Sequence, residues 1–393
     1  MRSRMREFSL RVTSSPSDGS ASHDGRRGYT GCDRHVSHID ARASGTVITK
    51  GSTAVRSETD PKIATAGFQT PVLAKSLSQL TSSFGGFFCA CTAMYLTAGV
   101  SYWITPFLAL VAAGFLVRIF IIQHDCGHGS FFRSRRANHA LGVLCSMLTL
   151  TPYATWRRQH AGHHGVWNDL DRRLSGVDIY SSCLTVAEYQ ALSPWRRRWY
   201  RLTRHPFVAN ILLPPLIFIV LYRVPFDTPK AWRRERRAVY ATDLALVLAI
   251  GGLGFLVGFD RVATVQLPVM VLASIIGVWL FSVQHRFEHT LWARRGEWRF
   301  ADAALHGSSH LRMPRPLQWF TGNIGLHHIH HLNPRIPNYR LQECHDANPV
   351  AHTGPELTLW SGLRQGRFTL WDERRRHMVP FKSARRRVLP PNA

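Results

Sequence analysis

Long apolar runs alternate along this chain with segments crowded by arginine and histidine. "FGGFFCACTAMYLTAGVSYWI" (84–104) and "PFLALVAAGFLVRIFIIQ" (106–123), divided by Thr105-Pro106, predict a first helical hairpin. "YATDLALVLAIGGLGFLVGF" (240–259) and "VATVQLPVMVLASIIGVWLFSV" (262–283) predict a second. Each run approaches the ~20 apolar residues that cross the hydrocarbon of a bilayer. Between the hairpins, "ALGVLCSMLTLTPYATW" (140–156) is shorter and interrupted by Pro152, and "FVANILLPPLIFIVLYRV" (207–224) carries Pro214-Pro215 at its middle. Both read as re-entrant or interfacial helices. Residues 157–206 are polar, basic and tryptophan-rich, and the chain is polar from His285 onward.

Parity constrains the topology. If each hairpin goes out and returns, the segments after residues 123 and 283 lie on one side, so 207–224 cannot cross fully. The cluster "KAWRRERR" that follows it favours the cytoplasmic side. Arg118, near the end of the second run, is expected to snorkel to the interface.

The average composition, 45% hydrophobic and 19% charged, conceals this segregation. Charge changes the picture more: 49 Lys and Arg against 24 Asp and Glu leave a net charge of +25. Arginines flank the apolar runs and form no basic helix or aromatic-basic module, which speaks against nucleic acid and for an anionic membrane leaflet. The same basic face suits an acidic electron-transfer protein. The seven cysteines are scattered without a CxxC pair, so neither a disulfide framework nor a thiolate zinc site is expected.

Histidines are the unusual feature, 21 in all. "HDCGHGSFF" places His124 and His128 where the first hairpin ends, and "VQHRFEHTLW" places His285 where the second ends. "WRRQHAGHHG" supplies His160, His163 and His164; "GNIGLHHIHHLNP" supplies His327, His330 and His331, with His328 as an extra. On a helix, positions i, i+3 and i+4 share a face, so each box can aim its imidazoles at one point. Nine imidazoles exceed the demand of one four- to six-coordinate ion and suit two, at four or five each. Neutral ligands leave the metal charge uncompensated and favour an electrophilic oxidised state. No carboxylate can remove a proton from an alkyl chain, so metals must do such chemistry while the protein positions the substrate.

These four motifs, with "GVDIYSSCLTVAEY" (176–189), resemble the integral-membrane fatty acid desaturases, most nearly the bacterial and plastid Δ12 (omega-6) acyl-lipid branch, over about residues 84–350. One departure is His289, where the family more often has an acid. The resemblance implies an all-α membrane protein: two transmembrane helical hairpins, interfacial helices and a cytosolic histidine-rich di-iron cap. It implies two iron ions held by His124, His128, His160, His163, His164, His285, His327, His330 and His331, with O2 as co-substrate and a membrane-lipid acyl chain as substrate. Asp125, Asp169, Asp178 and Glu288 are the carboxylates expected to orient imidazole N–H groups. No cytochrome b5-type HPGG, flavin or cysteine-cluster motif occurs, so electrons are expected from a separate ferredoxin- or cytochrome-type donor.

The expected organisation is a disordered basic tail (1–70), a desaturase domain (71–355) and a basic cytosolic C-terminal tail (356–393), in a bacterial inner membrane with the histidine boxes facing the cytoplasm. A hydroxylase or ketolase acting on lipid, carotenoid or alkane would use the same boxes. A histidine-lined metal transporter is a third reading, but it needs ligands near mid-membrane.

Overall fold

The first long helix, α1 (Leu73–Thr97), starts well before the predicted run, and α2 (Ile104–His128) continues one turn past its run. The structure, a computed structural model, describes residues 61–97, 103–173 and 182–385, all within one compact unit, Ser57–Ala393. α2 stops because Gly129 adopts φ 72, a left-handed conformation costly for other residues, and its N–H closes on the Cys126 carbonyl at 3.1 Å. His124 and His128 therefore occupy the last turn of a helix and share its face.

α3 (Arg135–Thr149) begins at Ser134, whose hydroxyl accepts from the Ala137 N–H, and ends at Leu150 with φ 54. Pro152 then precedes α4 (Tyr153–Val166), the helix of the first HxxHH box. After the strand β1 (Leu184–Thr185) come the short α5 (Val186–Ala191) and α6 (Pro194–Thr203). The run around Pro214-Pro215 forms a broken helical segment, Val208–Arg223, set at 57° to α6. α7 (Arg233–Val257) and α8 (Phe259–His285) are joined by Gly258 at φ 96, and α8 ends on the histidine itself.

The remainder is built of short pieces: α9 (Phe300–Gly307), β2 (His310–Arg312), α10 (Arg315–Phe320), α11 (His327–Leu332) and α12 (Leu341–Ala347). β3 (Glu356–Thr358), α13 (Leu359–Gln365), β4 (Leu370–Asp372) and β5 (His377–Val379) follow. β2 pairs parallel with β3, and a three-stranded sheet runs in the order β1-β4-β5.

Three helices are long and apolar enough to cross a membrane, α2, α7 and α8; α6 with the broken segment passes only as one bent unit. α1 has a polar first half, with Ser76, Ser78, Gln79, Thr81, Ser82 and Ser83 ahead of the apolar run that begins at Phe84. α2 is the central helix, packed against α1, α3 and α8, and the largest apolar core surrounds it through Ala109, Ala112, Leu116 and Ile119. These small and medium side chains are buried completely or nearly so, which lets neighbouring backbones approach. Arg118 does not snorkel. It is buried, donates to the Trp319 carbonyl and lies over the Trp319 ring at 3.9 Å.

The described parts of both expected tails are folded against the rest of the chain. Thr65 is fully buried and accepts from Asn333 Nδ2 at 3.0 Å, so residues 61–70 dock beside the second HxxHH box. Residues 356–385 supply β3, β4 and β5, with Leu370, Trp371 and Met378 buried. Residues 1–60 and 386–393 of the expected tails lie outside the described residues.

Candidate metal centre

Four elements meet at the ends of the long helices. α2 brings His124 and His128, α4 brings His160, His163 and His164, α8 brings His285, and α11 brings His327, His330 and His331. The nine rings divide into two groups. Ligand-capable nitrogens of His124, His128, His160, His164 and His330 all lie within 4.8 Å of one another, as do those of His163, His285 and His331. His327 joins the second group, its Nε2 3.1 Å from that of His285.

The division follows from helix geometry. In α4, His160 and His164 are four apart and turn to the first group, while His163 turns to the second. In α11 the pattern is reversed: His327 and His331 face the second group and His330 the first. Each HxxHH box thus serves both groups, two rings one way and one the other.

The donor chemistry fits cations. His285 Nδ1 lies 2.7 Å from the Phe281 carbonyl, so Nδ1 carries the proton and Nε2 keeps a bare lone pair. Three other Nε2 atoms crowd that lone pair: His331 at 2.9 Å, His163 at 3.0 Å and His327 at 3.1 Å. A single lone pair cannot serve three donors. Bonds of about 2.0–2.1 Å from nitrogen to a common metal place neighbouring ligand nitrogens roughly 3.0–3.4 Å apart, which is the observed spacing. In the first group, His164 Nε2 is 3.2 Å from His160 Nε2 and 3.1 Å from His330 Nε2. His124 Nε2 and His128 Nε2 are buried there without a hydrogen-bond partner among the described residues.

Burial first, and then neighbouring imidazoles, holds His160, His164, His327, His330 and His331 well below the ordinary imidazole pKa. They are neutral near pH 7, the protonation state that a metal ligand needs.

The four expected orienting carboxylates part ways. Asp125 is buried, its Oδ1 3.3 Å from His124 Nδ1; its Oδ2 accepts from the Asn338 backbone N–H at 2.7 Å and from Asn338 Nδ2 at 2.8 Å. Asn338 and Gln79 exchange two side-chain hydrogen bonds, 2.9 and 3.1 Å, which tie α1 to this array. Asp169 instead closes a turn: Oδ1 accepts from the Asp171 and Arg172 N–H groups, and Oδ2 pairs with Arg172 Nε at 2.5 Å. Glu288 is engaged through its backbone with Gln365 and Met378, and its carboxylate meets no imidazole among the described residues. Asp178 lies outside the described residues. His289 is exposed and its ring neighbours that of His377, away from both groups.

Two tryptophans belong to the site as well. Trp156 stacks on His160 at 4.8 Å and 13°, one helical turn before it; Trp167 lies 4.9 Å from the ring of His163 and 4.4 Å from that of His285. Their spacing of four from box histidines on α4 is a signal readable only once the helix is assumed.

A cavity of about 160 Å³ runs between α2, α8 and the broken segment. Leu116, Val117, Met270, Gly277 and Phe281 line its apolar length, and it ends on His124, His160, His163 and His327. It therefore reaches both imidazole groups. The groups sit at the helix ends and not near mid-span, which disfavours the transporter reading.

The fatty acid desaturase family model matches residues 101–359. A fatty acid desaturase of Bacillus subtilis (strain 168) is 42% identical over 330 residues, 84% of this chain and 92% of that one. Two Synechocystis proteins are more distant: an sn-1 acyl-lipid omega-3 desaturase (ferredoxin), 27% identical over 63% of this chain and 68% of its own, and an sn-1 oleoyl-lipid 12-desaturase, 26% over 62% and 66%. With most of its length matched and all four boxes inside the matched region, the chain belongs to the fatty acid desaturase family, a family of membrane-bound oxidoreductases.

Proposed function

We propose that the nine imidazoles hold two iron ions, five around one and four around the other, and that the chain introduces a cis double bond at the Δ12 (omega-6) position of a membrane-lipid acyl chain. The observation that carries this reading is the apolar cavity ending on histidines of both groups. A saturated methylene chain offers no polar handle, so only shape and burial can position it. A narrow apolar channel beside α2 and α8 does so.

When bound, the iron pair supplies the oxidising power: O2, two electrons and two protons, with two hydrogens taken from adjacent carbons, become two waters and a double bond. The chain's own residues prepare that event. The Phe281 carbonyl sets the His285 tautomer, and Asp125, itself fixed by Asn338, steadies the His124 ring. Trp156 and Trp167 flank the imidazoles and keep bulk water away.

The orientation with boxes toward the cytoplasm is supported by arginines at the same end. Arg157 and Arg158 lie on α4, and Arg233, Arg234, Arg236 and Arg237 begin α7, which packs against α4. The same basic face suits an acidic ferredoxin- or cytochrome-type electron donor. The 12-position rests on the motif likeness and on the oleoyl-lipid relative's name.

Expression in a bacterial host lacking polyunsaturated lipids tests the reading. New double bonds at carbon 12 are expected by gas chromatography–mass spectrometry. Unchanged lipids with a competent donor present would overturn the acyl assignment, and an oxygenated product would move it to hydroxylation.

A further inference from the structure

Helix α6, PWRRRWYRLT, carries four arginines and no acid, and none of its residues is buried. At about 100° per residue its side chains sort into two faces. Arg197, Tyr200 and Arg201 turn inward and hold α6 to the rest of the fold. Arg197 Nη2 donates to the Gln190 and Leu192 carbonyls at 2.9 and 2.8 Å, Arg201 donates to the Tyr189 hydroxyl, and the Tyr200 hydroxyl donates to the Thr369 carbonyl at 3.3 Å. Trp195, Trp199 and Leu202, spaced by four and three, form the opposite stripe and stay exposed, Trp195 by 70%. Arg196 and Arg198 flank that stripe and are exposed as well.

Helix α13 repeats the arrangement beside it. Its Gly362 packs on α8 so closely that a Cβ there would meet Val283 at 3.0 Å, and Gly366, just past its end, lies against Pro206, just past the end of α6. Its outer face shows Trp360, 77% exposed, with Leu363, Arg364 and Arg367. Val283 is two residues from His285, so α13, and α6 with it, stands at the imidazole end of the long helices.

We propose that α6 and α13 lie in the plane of the membrane, their tryptophans and leucines at the boundary of headgroups and acyl chains, and Arg196, Arg198, Arg364 and Arg367 on the phosphates of anionic lipids. Four arginines keep α6 out of the hydrocarbon, and the 57° bend at its end takes it out of the line of the broken segment. Its apolar stripe is continuous with exposed Phe207, Leu212, Leu216 and Val220 at and within that segment. Tryptophan and leucine edged by arginine is the composition that binds an anionic interface. Facing water instead, two neighbouring helices would leave five large apolar side chains uncovered. The Leu184 N–H of β1 donates to the Tyr200 hydroxyl at 3.1 Å, and α13 leads into β4, so both helices brace one sheet. Anchored this way, they set the height of the imidazole centre above the leaflet.

Quenching by brominated lipids tests this on the full chain in bilayer nanodiscs. The difference in fluorescence between wild type and Trp195→Phe/Trp199→Phe isolates these two side chains from the remaining tryptophans, and Trp360→Phe does the same for α13. Brominated phosphatidylglycerol diluted into phosphatidylcholine is expected to quench each difference signal more strongly than brominated phosphatidylcholine at the same fraction. Arg196→Gln/Arg198→Gln is expected to lower that preference about fivefold for each arginine, the equivalent of about 1 kcal/mol apiece. All these positions are exposed, so the variants keep the fold, and unchanged thermal unfolding verifies it. No quenching by either lipid, or quenching with no preference for the anionic one, would overturn the proposal. So would tryptophans that stay open to an aqueous quencher until an acidic electron-donor protein is added, which would assign the face to that protein. The readout involves neither metal nor product, so its failure leaves the desaturase reading standing.

Discussion

His163 and His164 are consecutive residues of α4, yet their rings belong to different imidazole groups: His163 Nε2 lies 3.0 Å from His285 Nε2, and His164 Nε2 lies 3.1 Å from His330 Nε2. One residue turns an α-helix through roughly 100°, so adjacent side chains diverge enough to serve two centres a few ångströms apart. The two alanine variants should then differ. His163→Ala leaves three imidazoles in its group, and iron should fall from about two toward one per chain, with product lost by about 100-fold or more. His164→Ala leaves four, and its iron should be largely retained. Metal analysis of both variants decides it: equal losses would refute the division into five and four.

The contrast between Asp125 and Asp169 yields a second prediction. Asp125→Asn removes the charge facing His124 Nδ1 while keeping a carbonyl for Asn338, so the fold should hold. Iron affinity or desaturation should drop about 10- to 100-fold, the usual cost of removing a carboxylate that orients a metal-bound imidazole. Asp169→Asn should leave iron affinity unchanged and cost about 1–3 kcal/mol of stability through its buried turn. Chelator competition and thermal unfolding separate the two effects. An iron defect in the Asp169 variant equal to that of Asp125 would contradict the assigned contacts.

These two aspartates also show what the chain discloses by itself. HxxxH and HxxHH are helical spacings, so the gathering of imidazoles on helices is written in local sequence, as are the apolar helices that carry them; that each HxxHH box splits its rings between two groups, instead of aiming them at one point, is not. Asp169 sits close after a histidine box, but the direction of its side chain is decided by Arg172 and two backbone amides, which proximity in sequence does not reveal. Gln79 and Asn338, which hold Asp125 in place, are 259 residues apart and have no local signature. The strands β2 and β3 are three residues each, too short for alternation to register, and their pairing joins distant segments. The polar first half of α1 is legible in composition, but that a helix persists through it depends on buried partners such as Asn338 for Gln79 and the Phe131 carbonyl for Ser76.

The cavity makes a third prediction, at Gly277. This residue lines the apolar channel, a side chain added there meets nothing within 4 Å, and it lies roughly 12 Å along α8 from His285 at 1.5 Å per residue. Gly277→Phe should fold normally and fill the channel. Product from long acyl chains should fall at least ~10-fold, equivalent to about 1.4 kcal/mol in the barrier, with shorter chains less affected. Iron content should not change. Lipid profiling across acyl lengths checks this, and equal loss for all lengths would show that the cavity does not measure the chain.

Removing the metals should expose the cost of packing nine imidazoles together. In the metal-free chain, burial and mutual proximity hold His160, His164, His327, His330 and His331 well below the ordinary imidazole pKa. The sign follows from proton binding. Above about pH 6.5 these groups are neutral both folded and unfolded and contribute no pH dependence. Below it the unfolded chain takes up protons that the folded chain refuses, so stability declines as pH falls toward the depressed folded values. With several such groups the decline should be steep, each full unit contributing about 1.4 kcal/mol per group. Bound metal opposes it, because it binds only the folded arrangement. Thermal unfolding of chelator-treated protein should therefore soften markedly between pH 6.5 and 5 (about one to two units below the ordinary imidazole value), while the metal-loaded protein resists until its iron is released. A metal-free chain whose unfolding temperature stayed flat across that window would mean that the imidazoles are not packed as neutral groups.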